Sequence, residues 1–288
     1  MTNENLRAIL DGALPREVQK GIYAMTNSLY FKGLRLWVQG LLLLALRWAQ
    51  LKGGFDPETG LARQSVPGIV LVVIILLLAA AEAALCVRLP GGKGSYPCRF
   101  RPLESPDLPL LAAGSLLLGI GGVLLAFPGS RGGGLSTLAI AAAAAGVAAA
   151  GGILLFAKQT RSGEGRVFPL LPSMLFSVLF LLLVYLPQES NPVLARYYLP
   201  VLAAALIACA FYQLAGFSCR EASMRWFVFF GDMAVPVSLA ALADSSENWG
   251  QMLAFAGCAM VLTIFLLLRR AEPLPEPAAE ASEEETAK

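Results

Sequence analysis

Two carboxylates in this chain stand where few are tolerated. Glu82 lies inside LLLAAAEAALCV and Asp232 inside WFVFFGDMAVPV, runs that carry no other charge. An ionised acid near mid-bilayer costs roughly 3 kcal/mol on insertion scales, so such a group normally faces a partner, a cavity or water. The chemistry open to it is proton exchange, cation binding, or a hydrogen bond to a neighbouring helix. Asp232 has a further property, because Pro236, four residues on, lacks the N–H that would bond the Asp232 carbonyl. A spare carbonyl beside a carboxylate is how irregular membrane helices hold Na⁺ or H⁺.

Other polar side chains share this depth. Glu82 precedes Arg88 by six residues, Asp232 follows Arg225 by seven, Gln213 precedes Arg220 by seven, Ser173 follows Arg166 by seven, and Thr263 precedes Arg269 by six. At 1.5 Å per helical residue, all five lie roughly 10 Å inside the same boundary. The expectation is that Glu82, Asp232, Gln213, Ser173 and Thr263 form a substrate or ion site in one half of the membrane. The plainer alternative pairs Asp232 with Arg225, two turns earlier on its own helix.

Enzymatic chemistry finds little support. The chain has no histidine, which removes His-based triads, His metal sites and His-ligated haem. An intramembrane aspartyl protease needs two aspartates close enough to share a proton, and only Asp232 lies in an apolar run. The five cysteines form no CxxC and read as soft packing residues. The GGKG at residues 91–94 lacks Walker A spacing. We therefore expect no catalytic residue, no cofactor and no metal site.

The elements that must position these groups follow from composition. Of 288 residues, 57% are hydrophobic and 15% charged, where ordinary soluble domains carry about a quarter charged. A helix needs about 20 residues to cross the hydrocarbon. Seven runs meet that length: Val66 to Val87, Leu108 to Phe127, Leu135 to Ala157, Val167 to Leu186, Leu199 to Gly216, Trp226 to Ala243, and Gly250 to Leu268. Lipid offers no partner to a free backbone N–H or C=O, so these runs must be helices. The fold class is all-α, a polytopic membrane bundle of about eight helices.

The eighth helix is the ambiguous one. Residues 30–54, YFKGLRLWVQGLLLLALRWAQLKGG, place Lys32, Arg35, Gln39, Arg47 and Gln50 on one stripe, with Tyr30, Trp37 and Trp48 opposite, and whether 32–52 spans is the question. That pattern fits a helix lying in the interface. It equally fits a spanning helix whose Arg35 and Arg47 snorkel to the two surfaces. Basic residues accumulate in cytoplasmic loops. With eight spans and the N-terminus inside, only Arg47, Lys52, Arg63, Arg131 and Arg196 fall outside, and the other 17 of the 22 basic residues fall inside. Leaving residues 1–65 outside makes the two sides nearly equal. Eight spans with both termini cytoplasmic is the arrangement this favours.

The chain then divides into a cytoplasmic segment over 1–31, a transmembrane domain over 32–270, and an acidic tail over 271–288 whose composition predicts disorder. Small residues crowd two spans, as in Ser115-xxx-Gly119 and AAAAAGVAAAGG, and predict close helix packing within this chain. The loop RLPGGKGSYPCRFRPLESPD carries four basic residues, for which lipid headgroups are the simplest counterpart. A net charge of +2, spread over loops, gives no nucleic-acid footprint. Membrane lipids and a protein partner in the membrane are the expected contacts. Short loops and the lack of a retention signal point to a plasma membrane of bacterial type. The function expected is membrane transport or substrate binding, and the alternative is a non-catalytic scaffold or subunit of a larger complex.

Overall fold

The computed structural model describes residues 29–55, 66–89, 96–100, 103, 107–127, 137–161, 168–186, 194–219, 221–245 and 248–269. The expected acidic tail and all but the end of the expected N-terminal segment lie outside them. The described residues form an all-α bundle. Its long helices are α1 (Leu29–Gly53), α2 (Val66–Val87), α3 (Asp107–Ala126), α4 (Thr137–Arg161), α5 (Leu171–Tyr185), α6 (Leu194–Gly216), α7 (Met224–Ala241) and α8 (Trp249–Leu268).

Six of these, α2, α3, α4, α6, α7 and α8, are long and apolar enough to cross a membrane. The shorter apolar α5 is preceded by a 3₁₀ turn at Phe168–Leu170. The exception in apolarity is α1, which carries Arg35, Arg47 and Lys52. At the centre stand α7 and α8, with 78% and 72% of their apolar stretches buried, while α2 sits at the edge with 22%.

Glycine decides how closely the inner helices pack. A Cβ on Gly257 of α8 would strike the Leu118 backbone of α3, and one on Gly250 would come within 2.7 Å of the Leu125 nitrogen. On the other side of α3, Gly122 and Gly146 of α4 face each other so closely that a Cβ on either would stand 3.0 Å from the other's Cα. The small-residue runs are thus used inside the chain, letting α3 touch α4 and α8 backbone to backbone.

Contacts between helices fix their directions. Gly114 meets Met260 while Gly121 meets Gly250, so α3 and α8 run antiparallel. Gly119 meets Ala150 and Gly122 meets Gly146, so α3 and α4 do too. By contrast Arg35 reaches Asp232, Gly40 meets Leu239, and Arg47 binds Asp244, so α1 and α7 run parallel. That is the alternation of an eight-pass chain, in which the first and seventh helices point the same way.

The packing of α1 bears on its two sequence readings and favours the spanning one. Its buried positions are Gly33, Leu36, Gly40, Leu43, Arg47 and Gln50, a helical stripe turned into the bundle. Leu34, Val38, Leu41, Leu42 and Trp48 are exposed. An interfacial helix would show its whole polar stripe to water, whereas this one buries Arg47 and Gln50 in protein, pairs the partly exposed Arg35 with Glu82, and offers leucine and valine outward. The two arginines do not snorkel away from the bundle, as the spanning reading supposed, but turn inward to acids.

One end of the bundle, where α7 starts and α8 finishes, is closed by the α2–α3 connection. Tyr96, Phe100 and Leu103 are buried there. The Tyr96 ring stacks on Phe100 at 4.3 Å and meets the edge of Phe156 at 5.0 Å, and Phe100 meets Phe217 at 5.1 Å and Phe227 at 5.6 Å. Such pairs add to the large apolar area each ring buries. Phe100 also forms a backbone bridge with Arg269, just past α8. This loop was expected to face lipid headgroups. Arg88 is indeed exposed, but Arg99 is buried and Tyr96 and Phe100 belong to the core.

Candidate functional site

The site is built on α1 because glycine lets that helix come close. A Cβ on Gly33 would stand 3.3 Å from Leu267 of α8, and one on Gly40 would lie 2.9 Å from the Leu239 Cβ of α7. Between them, Arg35 leaves α1 beside α2 and α7. Its Nη2 donates to Glu82 Oε1 at 2.9 Å and stands 3.8 Å from Asp232 Oδ2. Glu82 and Asp232 are 3% and 6% exposed, against 41% for the Arg35 side chain. One guanidinium nitrogen thus serves two buried carboxylates from different helices.

Two more groups complete the constellation. Arg269 acts electrostatically on Asp232 and lines the same cleft. Its Nη1 is buried with no hydrogen-bond partner among the described residues. Thr263 Oγ1 donates to the Ala259 carbonyl at 2.7 Å and accepts from Trp37 Nε1 at 3.2 Å, which ties α1 to α8. The cleft, walled by Arg35, Asp232, Thr263 and Arg269 with Leu266 and Leu267, holds about 10 Å³. That is room for about one water.

Of the five residues singled out by depth, the structure gathers three. Glu82 and Asp232 meet through Arg35, and Thr263 lines the cleft beside Asp232. Gln213 lies apart, its Oε1 accepting from the Ser223 N–H at 3.3 Å and so fastening the α6–α7 turn. Ser173 is fully buried on α5, which packs against α4 and α6. Its Oγ has no hydrogen-bond partner among the described residues. Asp232 does not pair with Arg225, whose Nε instead donates to the Leu89 carbonyl at 2.6 Å.

The sequence reading missed Arg35 and Arg269 because each sits near a helix end, where an arginine is ordinarily a boundary marker. The available signal was electrostatic. Two acids buried in lipid require cations, and α1 was the one span candidate carrying two arginines.

No family model, curated protein or solved structure matches this chain. Its function therefore has to be argued from the geometry itself.

A second charged cluster occupies the opposite end. Arg47, fully buried, donates from Nε to both Asp244 oxygens at 3.0 and 2.9 Å, from Nη2 to Oδ1 at 2.6 Å, and from Nη1 to Gln50 Oε1 at 2.8 Å. Its guanidinium carbon stands 5.2 Å from the centre of the Tyr198 ring. Here the charges satisfy one another, as a buried ion pair must if it is to be tolerated. The two clusters on α1 thus differ in kind: one is buried and internally paired, the other is partly exposed and borders a cleft.

Proposed function

We propose that this multi-pass membrane protein is a transport or solute-binding protein whose polar site is the cluster of Arg35, Glu82, Asp232 and Arg269. The observation that carries this reading is the sharing of one Arg35 nitrogen by two buried carboxylates next to a cleft. Ionisable residues inside membrane helices are expensive and mark solute or proton pathways more often than packing. A cleft of about 10 Å³ corresponds to a closed form, and binding would widen it by moving α1 or its side chains. No catalytic role is assigned to any residue.

The test is reconstitution of the full chain in liposomes, with wild type compared against Glu82→Gln and Asp232→Asn for solute uptake and for pH-driven proton movement. Loss of either activity in both variants, with folding intact, supports the reading. Variants that match wild type in flux and stability would sink it.

A second reading has an observation of its own. The centre of the bundle is filled, with α7 and α8 mostly buried and the glycines of α3 in backbone contact. That density suits a non-catalytic scaffold or a subunit of a larger membrane complex. Gentle purification from native membranes separates the two: a stoichiometric protein in the mass spectrum favours the scaffold, and a retained solute favours transport.

A further inference from the structure

The two arginines of α1 provide an internal comparison. Arg47 is fully buried and grips Asp244 through three contacts of 2.6 to 3.0 Å. Arg35 has a side chain 41% exposed, one hydrogen bond to Glu82, and a contact of 3.8 Å to Asp232 that is too long to be a second one. Asp232 is 6% exposed, lines the cleft, and receives no hydrogen bond from Arg35. Arg35 therefore sits between the carboxylates as a loosely held cation, and of the four charged groups it has the path to leave.

Its departure would leave Glu82, Asp232 and Arg269, a buried set with one net negative charge when both neighbouring carboxyls are ionised. Buried charge must be compensated. One positive charge restores neutrality, whereas a divalent ion would leave an excess. A planar group donating from several N–H bonds matches two carboxylates better than a spherical ion does.

Building on the site reading above, we propose that the ligand is a small monovalent organic cation, bearing a guanidinium or ammonium group, which displaces the Arg35 head group from between Glu82 and Asp232. Arg35 is then a tethered occupant of the protein's own cation site. It keeps the carboxylates compensated when no ligand is bound and competes with the ligand when one arrives.

The experiment measures thermal unfolding of the detergent-purified full chain against millimolar guanidinium chloride, with sodium chloride holding ionic strength constant. Wild type should be stabilised saturably. Arg35→Ala, lacking the competitor, should bind roughly 10-fold or more tightly, since an occupied site lowers apparent affinity by its free fraction. Adding Glu82→Gln or Asp232→Asn to Arg35→Ala should abolish the effect. Arg35→Gln replaces Arg35→Ala if the latter aggregates.

Three results would overturn the proposal: no saturable shift in wild type, a shift in Arg35→Ala alone, which would mean guanidinium only fills an engineered hole, or a shift indifferent to the two acids. Guanidinium uptake into liposomes is scored separately. Binding without uptake keeps the cation site and refutes transport, while uptake of other solutes with no cation binding refutes the site alone.

Discussion

Arg47 and Asp244 are joined by a forked ion pair that seals the end of α1 against the end of α7. Three hydrogen bonds of 2.6 to 3.0 Å run from one fully buried guanidinium to one carboxylate. Because a buried charge stripped of its partner is far costlier than an absent pair, Arg47→Ala should lower unfolding stability by about 3–5 kcal/mol. Arg47→Met combined with Asp244→Leu should recover much of that loss. Denaturant unfolding in detergent, followed by tryptophan fluorescence, measures both; equal losses in single and double variants would argue against the pair as the cause.

The glycine contacts make a second prediction with a built-in control. At Gly257 any side chain collides with the Leu118 backbone, whereas a Cβ at Gly151 meets nothing within 4 Å. Gly257→Val should destabilise by about 1–3 kcal/mol or more through overpacking. Gly151→Ala should be neutral or stabilising by up to about 1 kcal/mol, the helix-propensity difference between the residues. Melting temperatures of the purified variants test the contrast.

The parallel course of α1 and α7 predicts membrane sidedness. In a chain whose five native cysteines are replaced, single cysteines at Lys32 and Lys52, at the two ends of α1, should be labelled from opposite faces by a membrane-impermeant thiol reagent. Labelling of both from one face would return α1 to the interface.

Phe100 should behave as the keystone of its end. Its ring is 2% exposed and contacts Tyr96, Phe217 and Phe227, and its backbone bridges to Arg269. Phe100→Ala should cost about 3–5 kcal/mol, as large-to-small changes in packed cores do. Hydrogen exchange should quicken at residues 96–103 and at Arg269 before it does in the middle of α8. Uniform acceleration along the chain would contradict a local role.

Much of this architecture was legible in the chain. Val66–Val87 agrees at both ends with the apolar run, since Pro67 and the charged Arg88 bracket an uninterrupted hydrophobic stretch. Periodicity also placed Glu82, Asp232 and Thr263 at one level, because depth along a helix is a matter of counting. It could not give azimuth. Gln213 and Ser173 share that depth yet point to other neighbours, and which way a helix is rotated depends on packing partners distant in sequence. The same limit hid the role of Arg35: its apolar stem and terminal position suit snorkelling, and only the approach permitted by Gly33 and Gly40 turns it toward two acids.

The backbone contacts of α3 with α4 and α8 have a mechanical consequence. Surfaces that touch through Cα atoms leave no side chain to flex, so neither sliding nor rotation is possible without separation, and these three helices form a stator. By contrast α1 packs chiefly on α7 and α2 and touches that group through α8. Of the ends of α1, the one held by three hydrogen bonds from Arg47 is the natural pivot, and the one held by a single bond from Arg35 is the freer.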